Sequence, residues 1–362
     1  MREARLRGWS VRDPEGWVLA AFAVAILLGS TWGLPGGDSW AADSISPRSC
    51  GLGAITETYR PGHFHTYPPL QMAWLTVLSL PWIALAAARV GCSADALASE
   101  LIKPLYMTGI EGAARALTAT MALAIVWNTM RLWTRFGSRR VGLLAGLVVA
   151  CNATLVYYAH TGNLEVPYLF WTTWAFVELD RVLSGEARER PLLLLVVAAA
   201  LTKDQAVAAF VLPVPIAIAY VLSGGKGARG TPTEASLRVR CVALARAGAV
   251  AALLYSIVSG ALVNPAGFRR RLAFLFGPAS ATWAGYAHGL HGTLAMARDA
   301  LAAIPHFGSW GMALASVMGI ALILASTRSV TRVRQLMPLA GAVSFTVFFT
   351  VMARRTEDRF LL

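Results

Sequence analysis

The stretch PPLQMAWLTVLSLPWIALAAA, residues 68–88, decides how the chain is threaded. It matches the ~20 apolar residues that a bilayer crossing needs, but Pro81 interrupts it. If it crosses, every later loop changes side. Basic residues arbitrate, because short loops rich in Lys and Arg stay on the cytoplasmic side. Suppose 68–88 lies on the outer face. The inside then collects Arg2, Arg5, Arg7 and Arg12 and the loops near 131–140, 181–190, 226–246 and 328–334, more than half of the 32 basic residues. If the stretch crosses, the inside holds fewer than half. The expectation is that it does not cross. Residues 35–112 then form one outer region with a membrane-lying helix, monotopic in character.

Working outward, apolar runs cover about 15–34, 113–134, 141–159, 165–183, 191–203, 205–223, 246–263, 308–326 and 335–352, which read as nine spans with the N-terminus cytoplasmic. The chain is 56% hydrophobic and 14% charged, well under the ~25% charge of soluble domains. The fold class expected is an all-α polytopic membrane protein, one module over residues 1–362. A β-barrel would need ~10-residue alternating segments, and none is present. The net charge of +13 would suggest nucleic acid in a soluble protein. Here it sits in loops and sets topology, so no nucleic-acid partner is expected. The four cysteines lack CxxC spacing, which argues against a structural zinc site. No A-x-A site follows the first run, so it reads as a retained signal anchor. SGGKGARGTPTEAS (223–236) reads as a flexible inner loop.

This threading gathers unusual polar residues at the outer side. PGGDSWAADSISP (35–47) carries Asp38 and Asp43, either of which could cap a short helix or act chemically. RPGHFHTYPPLQMAW (60–74) holds His63 and His65, which suit interfacial hydrogen bonding better than metal ligation, and Tyr67 before two prolines. YYAHTGNLEVPYLFW (157–171) bridges two spans through His160, Asn163 and Glu165. Glu165 opens a helix, where the dipole favours an anion, and an acid at membrane depth is a functional suspect. The short 191–203 run followed by TKDQA reads as a hairpin with Lys203 and Asp204 at its tip. FRRR (268–271) and ARRTEDR (353–359) are basic where topology prefers neutral. Arginine forks suit phosphate oxygens, although any single Arg also suits a lipid headgroup.

The order of these pieces resembles the GT-C membrane glycosyltransferases, specifically glycosyltransferase family 39, which includes protein O-mannosyltransferases and the lipid A aminoarabinose transferase. The matching pieces are an Asp-bearing loop after the first span, YPPL (67–70), YYAHTGNLEVPYLFW (157–171), LTK (201–203) and RFLL (359–362). The family's acidic pair is Asp-Glu, whereas this chain has Asp43-Ser44, and Glu165 stands where the family has Asp. The family's arginine motif runs on into further helices, whereas this chain stops at Leu362, as a truncated form would.

The resemblance implies a GT-C helix bundle in a bacterial inner membrane, with a polyprenyl-phosphate sugar donor at the outer, periplasmic face. The acceptor would be a protein, lipid or glycan hydroxyl. Asp43 is then the general base, with Asp38 as its rival. Glu165 orients acceptor or sugar, and Tyr67 and His65 line the sugar pocket with the His160–Asn163 bridge nearby. Lys203 and Arg359, with Arg270 behind them and Asp204 beside Lys203, face the leaving phosphate. Direct displacement inverts the anomeric carbon, and the double displacement of retaining hydrolases is not required. No cofactor is implied, although Asp43, Glu165 and a histidine could hold one divalent ion. The rival readings are a lipid or solute transporter or flippase, and a non-catalytic scaffold that binds lipid-linked sugar.

Overall fold

The computed structural model describes residues 13–34, 52–224, 236–279, 284–307, 310–325, 329–349 and Arg354. Every regular element among them is helical. In chain order they are α1 (Pro14–Leu27), α2 (Leu52–Tyr59), α3 (Leu70–Val90), α4 (Ala94–Leu101), α5 (Pro104–Phe136), α6 (Arg139–Ala150), α7 (Ala153–Ala159), α8 (Glu165–Leu183) and α9 (Glu189–Thr202). A 3-10 helix (Asp204–Phe210) leads into α10 (Pro213–Leu222), followed by α11 (Leu237–Val258), α12 (Pro265–Phe274), α13 (Leu290–Phe307), α14 (Trp310–Ala325) and α15 (Ser329–Phe348).

By length and composition α3, α5 and α11 can cross a membrane. Two bent pairs raise that to five if each is one span: α6 with α7, bent by 64°, and the 3-10 helix with α10, bent by 46°. The coarse expectation of a helical membrane protein agrees with this. The nine apolar runs do not each become one long helix. They break where the sequence supplies caps, as at Asn152, whose side chain accepts from the Leu155 amide at 2.9 Å and starts α7 afresh. The 14 residues of α9 reach only about 21 Å. Exposed Val239, Val242, Leu253 and Ile257 line α11, an apolar face that suits lipid rather than water.

The centre of the bundle is α8. One cluster joins Leu179 and Leu183 of α8 to Leu192 of α9, Phe210 and Met337. A second joins Phe22 of α1, Ile125 of α5, Leu155 of α7 and Val166 of α8. Lipid offers no hydrophobic drive between helices, so close approach has to come from small residues. Gly142 and Gly146 provide it: a Cβ at the first would meet the Met130 carbonyl oxygen at 2.5 Å, and at the second the Met130 side chain at 2.2 Å. This GxxxG spacing lets α6 lie directly on α5.

The bundle has two chemically distinct ends. At one, Arg139 pairs with Asp13 and Glu15, Arg135 with Asp180 and Glu186, and Arg334 with Asp180. At the other, Arg115 donates to the carbonyls of Ser30 and Trp32 at 2.8 and 2.7 Å. Lys203 meets Glu165 there, and Arg271 meets Asp204. The α3 helix keeps to this second end. Met72 and Leu75 cluster with Ala114 of α5, Trp82 lies against Gly109, and Arg89 sits 6.0 Å from the centre of the Tyr106 ring. It therefore runs beside the N-terminal third of α5, and Pro81 does not break it. Where α4 meets α5, the Lys103 ammonium holds the Glu100 carboxyl below the usual carboxylate range.

Candidate functional site

The site is built on the start of α8. The chain leaves α7 and turns through Gly162 at φ +58, a conformation that glycine adopts without strain. Asn163 then accepts the Glu165 amide on Oδ1 at 3.1 Å, which satisfies one of the unpaired N–H groups of the new helix. Glu165 follows at 1% exposure. Lys203, between α9 and the 3-10 helix, takes an extended backbone (φ −152, ψ 124) and turns its ammonium onto Glu165 Oε1. The ring of Tyr168, one turn beyond Glu165, has its centre 5.4 Å from the same ammonium, a cation–π contact. Glu165 Oε2 and Asn163 Nδ2 are buried without a hydrogen-bond partner among the described residues.

The next residue carries the network across. Asp204 pairs with Arg271 of α12, whose Nε also donates to the Thr66 carbonyl at 3.2 Å. Arg271 lines a small cleft with Phe64, His65, Tyr67, Ser259 and Phe268. The His65 Nδ1 accepts the Tyr67 amide at 3.3 Å, and the two rings lie 6.3 Å apart. Tyr67 also packs against the cluster holding Leu164, the neighbour of Glu165. The remote stretches 64–67 and 203–204 thus meet α12 at one end of the bundle, and 163–168 joins them through Lys203 and Tyr67.

Glu165, Lys203, Asp204, His65 and Tyr67 all belong to this assembly. The other residues singled out from sequence have different places. The ring nitrogens of His160 face the Val156 and Leu28 carbonyls at 2.7 and 3.0 Å, so this side chain ties α7 to the end of α1 and does not face the cleft. Arg270 donates to the Gly62 carbonyl at 2.8 Å on the exposed side of α12; the arginine that reaches the cleft is Arg271. Helical phase explains the shift, because Gly267 and Arg271, four apart, form the buried face of α12. Asp38, Asp43 and Arg359 lie outside the described residues. Sequence reading missed Tyr168, although its position three residues after Glu165 puts both on one helix face. It also missed the buried Glu111–Arg115 pair of α5, four apart. Among the described residues no three His, Cys, Asp or Glu side chains gather as a metal site.

No protein-family model, no curated protein and no solved structure matches the chain.

Proposed function

We propose that this chain transfers a sugar from a polyprenyl-phosphate donor to an acceptor hydroxyl at the outer face of a membrane, as the resemblance to family 39 glycosyltransferases implies. The observation that carries this reading is the meeting of Glu165, Lys203, Asp204 and Arg271 beside a cleft edged by His65 and Tyr67. Charged groups this deep among apolar helices mark a function by default. In the proposed reaction Asp43 takes the acceptor proton. Lys203 and Arg359 stabilise the leaving phosphate as its charge grows, with Arg271 in the place first given to Arg270. Glu165 orients a hydroxyl through its unpartnered oxygen. The displacement inverts the anomeric carbon.

The reading needs this end of the bundle to be the outer one, with nine spans and α3 outside the count. Two observations support that. The opposite end holds Arg135, Arg139 and Arg334, as the cytoplasmic side should, and α3 follows only the near third of α5. Cys92, free and exposed just after α3, reports on it directly. With the other three cysteines replaced by serine, an impermeant maleimide should label Cys92 in right-side-out vesicles and not in inverted ones. The opposite pattern means that α3 crosses.

The activity test is reconstitution with a labelled polyprenyl-phosphate sugar and a panel of hydroxyl acceptors. Asp43→Asn should lower transfer by about 10²–10⁴-fold while the protein still inserts; full activity in that variant ends the base assignment. The bend of 46° between the 3-10 helix and α10 favours one rival, because transporters bind substrate at broken helices. Donor that crosses the bilayer without losing its sugar would identify a transporter, and donor that binds without either outcome would identify a scaffold.

A further inference from the structure

Residues 58–67 include four that line the cleft, Thr58, Phe64, His65 and Tyr67. Besides the local Arg60–Thr56 and His63–Arg60 backbone bonds, they are held by side chains far later in the chain, as in the Thr58–Asn264 bond across 206 positions. Asn264, at 3% exposure, is the hub. Its Nδ2 lies 3.0 Å from the Thr58 carbonyl, 2.7 Å from that of Arg60 and 2.9 Å from that of His63. Its Oδ1 accepts the amides of Gly62 and Gly267, each at 3.0 Å. An amide group has two hydrogens to donate and two lone pairs to accept with, so this side chain is used to capacity. Around it, Tyr59 Oη donates to the Val258 carbonyl at 2.9 Å, Arg270 to that of Gly62 at 2.8 Å, and Arg271 to that of Thr66 at 3.2 Å.

The fit leaves no slack. A Cβ at Gly267 would meet the His63 carbonyl oxygen at 1.9 Å. At Gly260, where φ is +79, it would meet the Thr58 oxygen at 2.9 Å. Within the turn the His63 amide donates to the Arg60 carbonyl at 3.0 Å, but without Asn264 the Thr58 and His63 carbonyls and the Gly62 amide lose their bonds together.

We infer that Asn264 is the positioning residue of the cleft: it fixes residues 58–67 on α12 in the register that stands His65 and Tyr67 beside Arg271. The basic run at 269–271 then serves the same end, with Arg270 clipping the turn and Arg271 clipping Thr66. What the cleft binds rests on the glycosyltransferase reading; the positioning itself does not.

Hydrogen exchange on protein in nanodiscs tests it. Asn264→Asp keeps Oδ1 and loses the donors. Amides within 58–67 should then exchange about tenfold faster or more, while peptides from α5 and α8 keep their rates. Gly267→Ala keeps the Asn264 residue but drives a Cβ into both the His63 carbonyl and the Asn264 amide, displacing the same contacts without removing the donors, and it should give the same local signature. It decides the matter if the Asp variant does not fold. Unchanged exchange at 58–67 in either folded variant overturns the inference. In the transfer assay, Asn264→Asp should raise the donor KM about tenfold with kcat within about threefold; a fall in kcat with KM unmoved also overturns it. If the wild-type protein transfers no sugar, the proposed reaction fails and the exchange result still decides the role of Asn264.

Discussion

Lys203→Ala should lose about 3–5 kcal/mol of stability, which lowers the apparent melting temperature in detergent by roughly 10 °C. The physical reason is what stays behind. Glu165 is buried, its only described cationic partner is Lys203, and its second oxygen is already unpartnered. Removing the ammonium strands a carboxylate in a medium that cannot solvate it. Replacing both charges by apolar or neutral groups is far cheaper. The double variant Glu165→Gln with Lys203→Met should therefore recover most of the melting temperature. It should not recover transfer, because loss of a cation aimed at a leaving group costs about 10²–10³ in kcat. Recovery of both would reduce the pair to scaffolding. A Lys203→Ala protein that melts like wild type would show that the pair is not buried as described.

The second large effect lies at the opposite end. Asp180, at 2% exposure, is held by Arg135 of α5 and by Arg334 of α15, whose Nε and Nη2 lie 2.6 and 3.0 Å from its two oxygens. One carboxylate thus closes three helices. Asp180→Asn should cost about 3–5 kcal/mol by leaving two guanidinium groups facing each other. Arg334→Met removes one arm only and should cost about 1.5–3 kcal/mol. Since this cluster is a bundle length from Lys203, kcat/KM per folded molecule should stay within about twofold of wild type, as independent distant sites agree to about 0.5 kcal/mol. Thermal melts paired with transfer assays check both statements. A selective loss of kcat/KM in Asp180→Asn, with no change in melting, would mean that the two ends are coupled.

Much of the site was legible before any coordinates. Glu165 does open a helix, and Lys203 and Asp204 do form the tip between α9 and the 3-10 helix. A carboxylate at the start of an apolar run and a polar triplet between two such runs have few other places to go. Arg271 was visible only as one of three adjacent arginines. Which one turns inward depends on the packing of α12 against the 58–67 turn, and that turn exists because Asn264 reaches three carbonyls. The helix break at Cys151–Asn152 was also hard to read, because hydropathy averages over a window longer than the cap that causes it.

Composition alone determined the class. A chain 56% hydrophobic and 14% charged makes helices that satisfy their own backbone. The placing of its arginines and lysines separates two ends in advance. Only the tertiary structure decided partners. Lys203 chose Glu165 from 38 positions away, and Arg271 chose Asp204 from 67. Neither choice leaves a trace in spacing, because a buried charge answers to distance in space and to the lack of water around it, and both are properties of the packed bundle.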